Sequence, residues 1–199
     1  MQNIFDQVEQ MPHCTVLTHS ENFGKGRALK TAFQFVKEHR PELKYAVTAD
    51  ADGQHAVADV LALFGLLQEK QTGIALGVRN FDEEHVPSKN AFGNKLTSRV
   101  FQLLFGTLVT DTQTGLRGFV TSEMDWLMNL KGERFEYEMN MLMYAVQQNI
   151  PIHEIAIQTI YFGEQHATHF KTFRDSFRIA KQLLIGFTLK KRLVEKTSN

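Results

Sequence analysis

Apolar positions recur along the chain with two different periods. From residue 27 to 39, Ala28, Leu29, Ala32, Phe33 and Val36 keep the spacing of one helical face, and Pro41 stops the run. Tyr45, Val47 and Thr48 then fall in a short apolar stretch, residues 45–49, that favours an extended strand. Helical spacing returns over 57–69, and 74–78 reads as another strand. The pattern continues with a helix over 90–105, an extended segment over 115–120 and a Met-rich helix over 135–148. A strand over 152–159 and a closing helix over 173–189 complete it. A short strand is also predicted at 14–18, before the turn Asn22-Phe23-Gly24-Lys25-Gly26, and the polar run 82–88 reads as a loop. Strand and helix thus alternate at least three times, which predicts βαβ units: an α/β fold with a mostly parallel sheet flanked by helices. No repeat or low-complexity linker interrupts the pattern, so residues 1–199 read as a single domain.

Composition adds limits rather than direction. The 199 residues are 43% hydrophobic and 22% charged, ordinary for a globular domain with a proper core. Cys14 is the single cysteine, which excludes an intrachain disulfide framework and a multi-thiolate zinc site, and fits a reducing cytoplasm. Residues 1–10 carry Asp6 and Glu9 and no long apolar core, unlike a signal peptide. The apolar stretch 183–189 is too short to span a bilayer.

Charge changes the picture more. The formal net charge is zero, which gives no reason to invoke nucleic acid, but residues 171–199 hold eight Lys/Arg against two Asp/Glu. Within 173–192, Phe177, Leu183, Leu184 and Phe187 interleave with Arg174, Arg178, Lys181, Lys190, Lys191 and Arg192. That segment reads either as a basic amphipathic helix on an anionic membrane or as a helix docked on the sheet with a solvated basic face.

The chemistry concentrates where strand 45–49 ends, in Asp50-Ala51-Asp52-Gly53-Gln54-His55. Ligands bind at the carboxyl ends of strands in open α/β sheets. Two carboxylates and the Gln54 amide oxygen suit Mg²⁺ or Mn²⁺, which take one or two carboxylates and then substrate phosphates. A solvated turn is the plain alternative. A calcium loop is excluded, because Leu61 stands at the twelfth position, where its terminal Glu belongs. An Asp-x-Asp-Gly loop also resembles the nucleophile loop of haloacid-dehalogenase-type phosphatases, in which Asp50 would attack phosphorus, but no convincing later acidic loop accompanies it.

Four further segments carry polar groups in suggestive places. The turn 22–26 opens a helix with Gly24, Lys25 and Gly26, which suits an anion but lacks the Walker A pattern; a plain turn reads equally well. In the run 111–119, Asp111, Thr112, Gln113 and Thr114 precede Arg117, whose planar fork suits phosphate or a nearby acid. Glu136 and Glu138 stand at a helix start, where capping accounts for them as well as chemistry does. His166 and His169 complete no ligand set, and Met139, Met141 and Met143 read as core.

Taken in order, N-F-G-K-G-R-A-L-K-T-A-F (22–33), T-A-D-A-D-G-Q-H (48–55), L-G-V-R (76–79), D-T-Q-T-G-L-R-G-F (111–119) and F-E-Y-E-M (135–139) resemble family 2 glycosyltransferases. The likeness spans residues 14–185 and is nearest the dolichyl- or polyprenyl-phosphate sugar transferase branch. It implies a GT-A, Rossmann-like fold and transfer of a sugar from a nucleotide diphosphate sugar with inversion. By the same resemblance Asp50, Asp52 and Gln54 hold Mg²⁺ or Mn²⁺ on the diphosphate, which places Asp50, Asp52 and Arg117 in the catalytic centre. Asn22, Gly24, Lys25, Gly26, Arg79, Gln113 and Arg117 are then the expected donor contacts. A polyprenyl phosphate acceptor is already anionic and needs no general base, whereas a sugar hydroxyl would need a carboxylate, Glu136 or Asp111. Such an acceptor implies a peripheral position on the cytoplasmic face of a membrane.

The same resemblance implies two earlier strands, ending in P-x-Y-N-like and D-D-G-S-like turns that help hold the nucleotide base. Residues 1–12 contain neither motif. The expectation is therefore an N-terminally shortened GT-A sheet with an open edge and a half-built base pocket, as a fragment or as a shortened relative. Two alternatives to the transferase stand beside it: a catalytically incomplete remnant serving as a binding module, and the metal-dependent phosphatase. An open edge favours self-association, but oligomeric state is not legible.

Overall fold

A computed structural model of the chain describes residues 4–81, 88–158 and 160. The predicted helix 173–189, the basic segment 173–192, His166, His169 and most of the 82–88 loop lie outside the described residues. Four strands form one sheet: β1 (Tyr45–Thr48), β2 (Ile74–Arg79), β3 (Arg117–Val120) and β4 (Ile152–Ile157), in the spatial order β1-β3-β2-β4. β2 and β4 pair in parallel, while β3 runs antiparallel to both β1 and β2. Three strands therefore share a direction, as expected, with one reversed strand inserted between them. The long connection from β2 through a helix to residue 117 lets the chain return in either sense, so helix–strand alternation alone does not fix the direction of β3.

Helices cover both faces. α3 (Val57–Lys70) packs on one face, where Leu63 and Leu67 meet Ala75, Leu116, Val120 and Ile157. α2 (Lys25–His39), α4 (Ser88–Phe105), α5 (Asp125–Asn129) and α6 (Glu136–Gln147) cover the other, where Phe33, Phe101, Leu127 and Met141 meet Ile74, Leu76 and Phe119. The alternation Ile74/Ala75/Leu76 across the two cores is the period-2 pattern of a strand buried on both sides. A short helix α1 (Ile4–Glu9), not expected from the sequence, precedes these elements.

Residues 14–18 do not form the predicted strand. A strand exists through its ladder, and β1 pairs only with β3, so its other edge carries no strand partner among the described residues.

Candidate functional site

The acidic turn follows β1 directly and is tied to the loop before β3. Thr48 Oγ1 donates to the Gly115 carbonyl oxygen at 3.2 Å. Two residues on, the Asp50 carboxylate lies against Gly115, where an added Cβ would fall 2.2 Å from Oδ2. Only glycine fits at 115 while Asp50 keeps this place. From α2, Lys25 Nζ reaches Asp50 Oδ1 at 2.7 Å and Glu138 Oε1 at 2.9 Å, so one ammonium joins the turn to α6. Asp52 is exposed; its Oδ1 accepts the Gln54 backbone N–H at 3.0 Å, an Asx turn with Gly53 at φ 79°.

The loop 111–117 is built from buried polar groups. Asp111 is fully buried and accepts a forked pair from Arg79, Nε at 2.7 Å and Nη2 at 3.1 Å, and the Gln113 backbone N–H at 3.1 Å. Arg117 is 1% exposed. Its Nε donates to the Thr114 carbonyl at 2.9 Å, Nη1 to the Glu138 carbonyl at 2.8 Å, and Nη2 to the Thr112 carbonyl at 3.3 Å. Burial pushes the Arg117 pKa down, and the Glu138, Asp111 and Asp50 carboxylates push it back. The expected role of Arg117 as an open phosphate contact is thus corrected. Its fork is occupied by backbone carbonyls, and it holds the loop in shape.

The glycines of the 22–26 turn also serve packing. Gly24 has φ 104°, and an added Cβ would meet the Glu133 carbonyl oxygen at 2.4 Å; at Gly26 it would meet Tyr137 Cβ at 2.6 Å. Their close approach is to the 132–137 turn, where Glu133 also pairs with Arg27 and Lys30 at 2.6 and 2.9 Å. Asn22 Oδ1 accepts the Gly24 N–H at 3.0 Å, shaping the turn. Of this set, Lys25 faces the acidic turn.

The two α6 carboxylates divide their work. Glu136 accepts the backbone N–H groups of Glu133 and Arg134, at 3.1 and 3.2 Å, so it ties the preceding turn to the start of α6. Glu138 instead points at Lys25 and sits 3.9 Å from Arg117 Nε. Residues two apart fall on nearly opposite sides of a helix, the signal that separates them. Gly115 and Glu133 were missed because a small residue and a turn acid acquire meaning only from what the fold places against them.

Among the described residues no three His, Cys, Asp or Glu side chains converge as a ligand set. The donors Asp50, Asp52 and Gln54 nonetheless fit a hard cation of the Mg²⁺ type, which takes one or two carboxylates and fills its sphere from phosphate and water. Gln113 Nε2, Thr112 Oγ1 and His55 Nδ1 are buried without a hydrogen-bond partner among the described residues, as groups awaiting a ligand or water would be.

Residues 2–120 match the family described as Glycosyl transferase family 2. The chain belongs to this family. It is 31% identical over 182 residues to the UDP-N-acetylglucosamine–dolichyl-phosphate N-acetylglucosaminyltransferase of Methanococcus voltae, covering 89% of this chain and 67% of that one. A dolichyl-phosphate β-glucosyltransferase of Dictyostelium discoideum is 25% identical over 188 residues, covering 89% of this chain and 55% of that one. A protein of Methanocaldococcus jannaschii is 31% identical over 150 residues, covering 73% and 61%. The chain thus spans 61%, 67% and 55% of the lengths of these relatives. The structure of glucosyl-3-phosphoglycerate synthase from Mycobacterium tuberculosis with phosphoglyceric acid superposes with a TM-score of 0.58 at 13% identity, covering 94% of this chain and 61% of that one. That likeness confirms the GT-A fold. No helix among the described residues is long and apolar enough to cross a membrane.

Proposed function

We propose that this family 2 glycosyltransferase domain binds a nucleotide diphosphate sugar at the 50–55 turn and transfers the sugar, with inversion, to a polyprenyl or dolichyl phosphate. The observation that carries the reading is the placement of Asp50 and Asp52 after the carboxyl end of β1, with Asp50 seated on Gly115 and paired to Lys25. Relatives whose names specify a dolichyl-phosphate acceptor support the acceptor class. Mg²⁺ or Mn²⁺ bound by Asp50, Asp52 and Gln54 would neutralise charge building on the departing diphosphate.

The chain's own groups do the rest. Lys25 offers a point charge beside the diphosphate. Arg79, held by Asp111, keeps the end of β2 in place, and Gln113 presents a donor with no partner among the described residues. A phosphate acceptor brings its own nucleophilic oxygen, so no carboxylate base is required; neither Glu136, bonded to the 133–134 turn, nor Asp111, locked to Arg79, is free for that work. Membership of the family separates the chain from the phosphatase alternative. A lipid-linked acceptor would bring the domain to a membrane surface.

The test is Mn²⁺-dependent binding of nucleotide sugars, followed by transfer of labelled sugar to a polyprenyl phosphate in detergent. Asp52→Ala is expected to abolish metal-dependent binding. Metal-dependent donor binding without transfer to any acceptor would favour the binding-module reading, and unchanged binding in Asp52→Ala would remove the acidic turn from the mechanism.

A further inference from the structure

Lys25 stands where a divalent cation would have to compete. Its ammonium lies 2.7 Å from Asp50 Oδ1, an oxygen that the proposed metal site needs. The other Asp50 oxygen, Oδ2, lies against Gly115, so the carboxylate has little room to turn toward a second cation while keeping the first. A metal on Asp50 therefore displaces Lys25 or shares the carboxylate with it at close range, where two cations repel. Lys25 has a second partner at 2.9 Å, Glu138 Oε1. Both side chains are largely sheltered, 24% exposed for Lys25 and 12% for Glu138, so an unpaired charge here is costly.

Glu138 is well fixed for that purpose. Its carbonyl accepts from Arg117 Nη1 at 2.8 Å, and it lies in the first turn of α6, whose next residues Met139 and Met141 are core. The charged groups that meet the pair are Asp50 from the β1 turn and Arg117 from β3, whose guanidinium in turn feels Asp111 and Tyr137.

We propose that Lys25 is the resident cation of the metal site in the donor-free protein, and that Glu138 is a positioning residue that keeps Lys25 when a metal takes its place on Asp50. This rests on the reading of Asp50 and Asp52 as the metal-binding pair. The two members of one ion pair then have opposite effects on metal affinity. Removing Lys25 removes a competitor; removing the Glu138 charge leaves Lys25 with Asp50 as its remaining carboxylate.

The experiment measures Mn²⁺ affinity, with Mn²⁺ alone and no nucleotide, from the electron paramagnetic resonance signal of free Mn²⁺. Lys25→Met is expected to tighten binding by about tenfold and Glu138→Gln to weaken it by about tenfold, a size ordinary for a charge partner within hydrogen-bonding distance. Glu138→Gln preserves the backbone carbonyl that holds Arg117, and melting curves confirm the fold. In the Lys25→Met background, Glu138→Gln is expected to change affinity by less than about threefold, because its effect acts through Lys25. Weaker or unchanged binding in Lys25→Met overturns the proposal, as does a Glu138→Gln effect that is equal or larger in that background. Asp52→Ala separates the two readings. If it abolishes Mn²⁺ binding while Lys25→Met and Glu138→Gln do nothing, the metal site stands and the resident-cation proposal falls. If Asp52→Ala retains wild-type affinity, or the wild-type protein binds no Mn²⁺, both fall.

Discussion

The loop 111–117 and the turn 50–55 meet at Gly115, and they are built in opposite ways. In the loop, Asp111, Thr112, Thr114 and Arg117 are all buried, and Arg117 alone donates to three backbone carbonyls. In the turn, Asp52 is exposed, and its Oδ1 accepts a bond from within its own turn. The loop is a platform held in shape by the buried Asp111 and Arg117; the turn carries carboxylate oxygens that solvent or a ligand can reach. The proposed reading needs both, since a metal-bridged diphosphate would require open oxygens held in a fixed place. Rigidity comes from the buried side and openness from the exposed side. Gly115 is where one is transmitted to the other.

The contrast breaks most visibly at Arg117. Arg117→Met is expected to destabilise the fold by about 3–5 kcal/mol, because it strands three buried carbonyls and leaves Asp111 and Glu138 with less compensating charge. Arg117→Lys should recover only part of this, since one ammonium cannot reproduce the fork. Urea unfolding checks both; a loss below about 1 kcal/mol would show that the loop does not depend on its buried guanidinium.

Gly115→Ala tests the junction itself. The new Cβ would collide with Asp50 Oδ2. A stability cost of roughly 1–3 kcal/mol is expected, together with loss of metal-dependent donor binding although no ligating group has changed. Binding at wild-type strength would mean that the seat of Asp50 does not matter.

A smaller effect is expected where α2 joins the platform. Burial raises the Glu133 pKa, but the Lys30 hydrogen bond and charge and then Arg27 outweigh it, so the net shift is downward. A carboxyl whose folded value is depressed contributes stability that is present above the ordinary carboxylate range and lost as pH falls through the lowered value. Glu133→Gln should therefore flatten the acid limb of the stability–pH curve and leave little pH-dependent difference at neutrality. Because Glu133 is more than one-third exposed, solvent screening keeps the effect modest.

At the far end of the scale, Asp52→Ala should change stability by no more than about 0.5 kcal/mol. Its effect is expected in binding alone. A large stability loss would mean that Asp52 belongs to the platform, and the contrast between the two regions would fail.

Helix and strand positions were legible because amphipathic periods report burial directly: the stretch 45–49 became β1, and 57–69 became most of α3. The strand predicted at 14–18 shows the limit of that signal. Its residues favour extension, but a strand forms only beside a partner. The same holds within the site. Asp50 and Asp52 were readable from their place after a strand, and Lys25 from its place one βα unit earlier. Glu138 looked like a second cap beside Glu136, and Arg117 like a phosphate clamp, because a sequence does not say which way a side chain faces or what already occupies it.

The sequence by itself determined the α/β class, the family and the position of the acidic turn, since these follow from local periodicity and from motifs in a fixed order. Tertiary structure decided that β3 is reversed, that Gly24 and Gly26 seat α2 on the 132–137 turn, and that Arg117 is a buried framework. It alone brought Lys25 between Asp50 and Glu138. Those outcomes depend on which groups from distant segments reach the same few ångströms, and electrostatics at that range is set by neighbours in space rather than neighbours in sequence.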